Sequence, residues 1–144
     1  KSVIEMTESH WDHVINQNLK STFLCSKKAM ESMIKSGIQG KIVNVSSLAG
    51  IRGVEKFSGM AAYIASKHAV VGFTEALAVE AKDYGIKVNC VAPGSVATKM
   101  FCDNFANYEA GATPEEIARI IIAFCKDNQL GWQSGNIFEV FCNA

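Results

Sequence analysis

Three observations predict an α/β fold with a parallel sheet of about three strands flanked by helices. Residues 7–36 and 60–83 carry apolar side chains at a helical period, and both stretches are longer than most helices. Short apolar runs at 41–45, 86–91 and 135–141 stand between and after them. The first two runs close on small, flexible residues, so strand alternates with long crossover and the strands lie parallel.

In chain order, Thr7-Glu-Ser-His10 supplies a cap for the first helix, and Trp11, Ile15, Leu19, Phe23, Ala29, Met30 and Met33 supply its apolar stripe. Gly37 stops it, with interruptions allowed along its length. Lys41-Ile-Val-Asn-Val45 is the first strand, closed by Ser46-Ser47-Leu-Ala-Gly50, so Ser47 stands at a strand's carboxyl end, where open α/β sheets bind ligands. A loop from Gly50 to Gly59 leads into the second long helix, whose Ala61, Ala62, Ala65 and Ala69 allow a neighbour to approach closely, and which ends at Tyr84-Gly85. The second strand, 86–91, is terminated by Ala92-Pro93-Gly94. Residues 97–111 form a polar and aromatic loop with room for a short helix. Thr113 caps a further helix with Pro114 in its first turn, and 135–141 is the third strand.

The 144 residues, 49% of them apolar, make one domain, 1–144. Fourteen basic and fourteen acidic side chains balance and are scattered, which argues against a nucleic-acid footprint or a polybasic membrane patch. No apolar run reaches the roughly 18 residues needed to span a bilayer. The sequence starts at Lys1 without Met, as expected of a cut, processed or partial chain. Cys25, Cys90, Cys102, Cys125 and Cys142 are odd in number and show neither metal-ligand nor disulfide spacing, so a reduced, cytoplasmic setting is expected. Cys25, Cys90 and Cys125 fall in apolar periodic segments and read as core residues; Trp11 and Trp132 read as packing residues, and His10, His13 and His68 as solvated ones.

Tyr63-Ile-Ala-Ser-Lys67 sets a phenol and an ammonium four residues apart on one helix face, a geometry in which the cation can lower the phenol pKa for proton transfer. Such a pair is common by chance. Its weight comes from the Ser-Ser-x-x-Gly strand end upstream and the Asn-x-x-Ala-Pro-Gly strand end downstream, which face one crevice if the strands are parallel.

Together, Asn18-Leu-Lys-Ser-Thr-Phe23, Gly40-Lys-Ile-Val-Asn-Val-Ser-Ser-Leu-Ala-Gly50, Tyr63-Ile-Ala-Ser-Lys67, Val88-Asn-Cys-Val-Ala-Pro-Gly94 with Thr98, and the weaker Gly135-Asn-Ile resemble the C-terminal portion of the classical short-chain dehydrogenase/reductase superfamily. The resemblance implies a partial Rossmann-like, doubly wound sheet and an oxidoreductase moving a hydride between NAD or NADP and a carbonyl or secondary alcohol. It makes Tyr63 the general acid/base, Lys67 the residue that depresses the Tyr63 pKa and holds the nicotinamide ribose, and Ser47 the hydrogen-bond donor to the substrate oxygen. Ser46 takes a structural role, Asn18 helps hold a proton relay to the lysine, and Pro93, Gly94, Val96 and Thr98 orient the nicotinamide. The residues 100–111 become the substrate-covering loop, whose Phe101, Phe105 and Tyr108 serve either as a pocket wall or as a local mini-core.

The sequence departs from the family pattern in several places. It contains no Thr-Gly-x-x-x-Gly-x-Gly turn, no acidic or basic discriminator of NAD from NADP, and no Asn-Ala-Gly motif. The Ser47-to-Tyr63 spacing is about three residues longer than usual, with Glu55-Lys-Phe-Ser58 as the insertion, a length a surface loop can absorb. Phe138-Glu-Val-Phe-Cys-Asn-Ala144 replaces the usual Asp-Gly-Gly. The first retained strand is therefore expected to present a bare edge, and a separately supplied N-terminal half or an oligomer built on 7–36 and 60–83, as in the family's four-helix interface, is expected to complete the protein. Two functions remain open: a dehydrogenase of which this chain alone is inactive, favoured by Ser47, Tyr63, Lys67 and Asn18, and a noncatalytic interaction or dimerisation module of the same fold, favoured by the absent phosphate-binding glycines and the altered terminus.

Overall fold

The computed structural model describes residues 1–105, 107–127 and 129–142. Its order is α1 (Glu8–Ile15), a π-helical turn (Asn16–Lys20), α2 (Ser21–Ser36), β1 (Lys41–Val45), a 3-10 turn (Leu48–Gly50), α3 (Ala61–Ala81) and a 3-10 turn (Lys82–Tyr84). β2 (Lys87–Pro93), α4 (Lys99–Asn104), α5 (Pro114–Cys125) and β3 (Ile137–Val140) follow. The three strands form one parallel sheet in the order β1-β2-β3, with Val45 opposite Val91 and Pro93 opposite Val140.

Local chemistry sets the boundaries. The Thr7 hydroxyl accepts from the His10 amide at the start of α1, and Gly37 and Gly85 take the left-handed conformations that end α2 and the turn after α3. Thr113 and Glu116 form a reciprocal capping box ahead of α5. The first long helix is not uniform: at Asn16–Lys20 it widens to a π turn, with the Ser21 amide bonded to the Asn16 carbonyl five residues back. Side chains occupy the carbonyls there, Asn18 Nδ2 donating to Val14 at 3.0 Å and Thr22 Oγ1 to Asn18 at 2.7 Å. β2 runs on through Ala92 and Pro93, where the sequence predicts its end. Pro93 fits because β1 has already stopped at the Val45–Val91 pair, so on that side no ladder asks for the N–H that proline lacks.

Alternation along the strands divides the core between the two faces of the sheet. Ile42, Ile86 and Val88 pack with Leu77, Ala78 and Ala81 of α3 and with Ala29, Met30 and Met33 of α2. Val43 and Val91 face the other way, onto Ile117, Ile120, Ile121 and Phe124 of α5. Helices thus cover both faces, the doubly wound arrangement expected. A buried polar chain pins the first face together: Ser26 Oγ donates to Asn44 Oδ1 (3.0 Å), Asn44 Nδ2 to Thr74 Oγ1 (3.0 Å), and Thr74 to the Val70 carbonyl (2.8 Å). On β2, buried Asn89 holds the Gln133 carbonyl and the Asn136 amide and so fixes the entry to β3.

Several expectations are corrected. Of the three cysteines read as core, only Cys90 is buried; Cys25 and Cys125 are exposed, because each lies on the outer side of its helix, while Cys142 is buried. Trp11 is 41% exposed and Trp132 68% exposed, its indole N–H donating to the Gln129 carbonyl rather than packing in the core. Among the described residues β1 pairs with β2 alone, and no helix is long and apolar enough to cross a membrane. Residues 143 and 144 of the atypical terminal stretch lie outside the described residues.

Candidate active site

The cleft lies past the carboxyl ends of β1 and β2, as a parallel sheet dictates. It measures about 340 Å3 and is bounded by Ser46 and Ser47 after β1, Tyr63 and Lys67 on α3, and Pro93, Gly94, Val96 and Thr98 at and after β2. Seven of the eight residues predicted from sequence meet here. The eighth, Asn18, does not line the cleft: its π turn packs against α3, but its amide is bonded to Val14.

Ser46 and Ser47 point to different tasks. The Ser46 hydroxyl donates to the Lys67 carbonyl at 2.8 Å, and its amide donates to the Val91 carbonyl at 2.8 Å, so one residue fastens β1 both to α3 and to β2. Ser47 Oγ accepts from the Ala49 amide at 3.2 Å, which leaves its own proton free to donate. Gly50 closes the turn against α3. A Cβ there would lie 2.6 Å from the Lys67 carbonyl carbon and 2.7 Å from its oxygen, so only glycine permits this approach.

Tyr63 and Lys67 share one face of α3, with Lys67 Nζ 5.7 Å from the centre of the Tyr63 ring. Nζ donates to the Val45 carbonyl at 3.1 Å, which orients it at the strand end with two further donors to offer. Burial pushes the Tyr63 phenol above its ordinary value, and a hydrogen bond with Ser47 pulls it partly back. The expectation that Lys67 holds Tyr63 low is therefore not met here. Burial also lowers Lys67 itself, with the buried Cys90 nearby opposing, which weakens it as a source of positive field. Both groups are poised by desolvation, a condition typical of functional clefts.

Thr98 Oγ1 accepts from the Phe101 amide and so caps α4. The sequence reading missed the apolar wall opposite the polar groups, made by Met100, Ile117 and Ile121 with Pro114 and Ala118. The four-residue spacing of Ile117 and Ile121 on an amphipathic helix was a signal for a buried stripe, but not for one that faces a ligand. A flat ring carrying a polar amide suits this cleft: Pro93, Val96 and Ile117 offer apolar surface while Thr98, Tyr63 and Lys67 offer hydrogen bonds. The residues present thus fit the nicotinamide end of a dinucleotide. No three His, Cys, Asp or Glu among the described residues are grouped to hold a metal.

The family model described as short chain dehydrogenase matches residues 1–109. The (3R)-3-hydroxyacyl-CoA dehydrogenase of Homo sapiens is 41% identical over 149 residues, covering 96% of this chain and 55% of the relative. Among solved structures, a 4-hydroxyisoleucine dehydrogenase complexed with NADH superposes with a TM-score of 0.85 at 28% identity, covering 97% of this chain and 61% of that one. ElxO with NADP bound gives 0.81 at 31% identity, covering 96% and 59%. The chain spans about half the length of the curated relatives it matches, 52% and 56% for two further ones. A sequence match over most of the chain and a fold match over nearly all of it lead to one conclusion: this chain belongs to the short-chain dehydrogenase/reductase family of oxidoreductases.

Proposed function

We propose that the cleft carries the proton-transfer half of a reversible carbonyl reduction, with Tyr63 as general acid/base. The observation that supports this most is the joint placement of Ser47, Tyr63 and Lys67 in one cleft beside Pro93, Gly94, Val96 and Thr98. A bound NAD or NADP supplies or accepts the hydride. Ser47 and Tyr63 both donate to the substrate oxygen, and the Tyr63 proton passes to that oxygen as negative charge develops on it. In the opposite direction Tyr63 takes the alcohol proton, a task that needs the phenolate. Lys67, fixed by the Val45 carbonyl, directs its remaining N–H groups toward the ribose of the cofactor. Pro93, Gly94, Val96 and Thr98 hold the nicotinamide, and Asn18 acts from behind α3 through its π turn.

Since the phenol is raised, Tyr63 keeps its proton across the neutral range. Reduction is then the direction it serves readily, and alcohol oxidation accelerates as pH rises toward and beyond 10, the ordinary phenol value. The pyrophosphate grip is contributed from outside these residues, at the free edge of β1, and this chain by itself does not turn over. A second copy covers the groove of about 700 Å3 between α2 and α3, lined by Phe23, Met30, Ile34, Phe73 and Leu77. The noncatalytic alternative draws on two observations, the amide of Asn18 turned to Val14 and the raised Tyr63 phenol.

The test is dinucleotide-dependent reduction of a ketone panel by the protein that contains this chain, with and without Tyr63→Phe. Loss of about 10² to 10⁴ in rate with unchanged circular dichroism is expected. Turnover that survives the substitution overturns the assignment of Tyr63, and no turnover by either form favours the interaction module.

A further inference from the structure

We propose that residues 51–60 give this cleft an aromatic mouth and that Phe57 is a positioning residue selecting substrates with a flat, ring-shaped apolar body; the proposal rests on the reading of the cleft as a carbonyl-reducing site. Lys56 and Phe57, adjacent in the extra-length loop, reach in two directions. Lys56 Nζ donates to the carbonyls of Ala49 (2.8 Å) and Ile51 (2.6 Å), which ties the loop to the turn that presents Ser47. Phe57 meets the far loop edge-on, with ring centres 6.0 Å from Phe105 and 6.4 Å from Tyr108. Phe105 in turn stacks on Phe101 at 5.3 Å and 24°, and Phe101 belongs to the cleft wall. A connected row of rings therefore runs from the loop behind Ser47 across to the apolar side of the cleft.

The exposure of these rings decides between a closed mini-core and a binding surface. A mini-core buries its members, yet Phe57 is 43% and Tyr108 62% exposed, so ring faces remain open at the cleft's edge. The reacting carbon of a substrate must sit against Ser47 and Tyr63, and beyond it the wall continues through Val96, Ile117 and Phe101 to this row. A flat ring gains offset or edge-on contacts there that an aliphatic chain of similar area does not. Phe57 acts through Phe105, holding it against Phe101, and so sets the position of that wall.

Equilibrium binding to the chain, followed by ligand-observed NMR, compares two cyclohexanones that carry phenyl or n-hexyl on the ring carbon opposite the carbonyl. Phe57→Ala and Phe57→Leu should both weaken the phenyl ketone about tenfold and the hexyl ketone less than about twofold, and Phe57→Trp should restore the phenyl preference. Phe57→Leu keeps apolar volume without the ring, so it carries the test should the alanine variant fold poorly. Equal loss for both ketones, loss for neither, no binding of the phenyl ketone, or failure of tryptophan to restore it overturns the proposal. If the phenyl preference holds while no Tyr63-dependent turnover is found, the redox reading fails and the aromatic mouth stands.

Discussion

The two long helical segments differ sharply in how they meet the sheet. α3 buries Ala62, Ser66, Val70, Thr74, Leu77, Ala78 and Ala81, whereas α1, the π turn and α2 together bury Ser26 alone and leave Phe23, Leu24 and Ile34 at least 40% exposed. The segment that carries Tyr63 and Lys67 is thus the one held by close packing. The other is held chiefly through one polar chain and the inner side of α2, and it offers its outer stripe to a further surface. Precise placement of reacting groups demands the first kind of support, because an error of about 1 Å can remove much of the benefit of orientation.

The same type of truncation should separate the two helices. Val70→Ala, at a site with no exposure, is expected to cost about 2–3 kcal/mol in urea unfolding, since two methyl groups are lost and a cavity remains. Leu24→Ala, at 51% exposure, defines the other end of the scale and is treated last. Gly50→Ala should cost about 1–3 kcal/mol, because its methyl group meets the Lys67 backbone. It should also lower kcat more than KM in the protein that turns over, since it parts Ser47 from Tyr63. A variant with wild-type stability and rate shows that the turn and α3 are free to shift apart.

Ser26→Ala tests the polar chain that joins the loosely held helix to the sheet. It leaves Asn44 Oδ1 without its donor, and a loss of about 1–2 kcal/mol is expected, read as a shifted urea midpoint. An unchanged midpoint means that the first helix is docked by apolar contact alone.

The pH dependence of stability sharpens the picture of α3. Burial lowers Lys67, so the unfolded chain binds its proton more tightly. That penalty is present below the folded pKa and fades as pH climbs toward 10.5, so stability contributed by this site rises over that window. Tyr63 has the opposite sign: its folded pKa is raised, so stability is intact below 10 and falls as pH goes beyond it. Lys67→Met should remove the rising limb and leave the fall, as measured by urea unfolding at stepped alkaline pH. A rising limb that persists in the variant assigns it to another group. The smallest effect is that of Leu24→Ala, within about 0.5 kcal/mol for the isolated chain. A loss above 1 kcal/mol that depends on protein concentration would mark α2 as covered by a second copy.

Tyr63, Lys67, Ser47, Pro93 and Gly94 were legible because their significance lies in spacing and in the ends of strands, both of which are local. The strands and helix caps were legible for the same reason, as Thr7, Gly37, Gly85 and the Thr113–Glu116 box show. The π turn at Asn16–Lys20 was not, since it depends on side chains of Asn18, Ser21 and Thr22 choosing backbone carbonyls over solvent. Nor was the exposure of Cys25, Cys125 and Trp132, because a helical period marks an apolar face without saying whether anything covers it.

By itself, then, the order of residues determined the parallel α/β class, the pairing of a phenol with an ammonium on one helix face, and the arrival of the serine turn at the mouth of the sheet. Tertiary structure alone decided the rest: that Gly50 lets the serine turn press on Lys67, that Tyr63 is raised rather than lowered, and that Phe57 meets Phe105 across the cleft. Each of these depends on distances between segments far apart in the chain and on how much water lies between them, and neither quantity is encoded in the period of any one element.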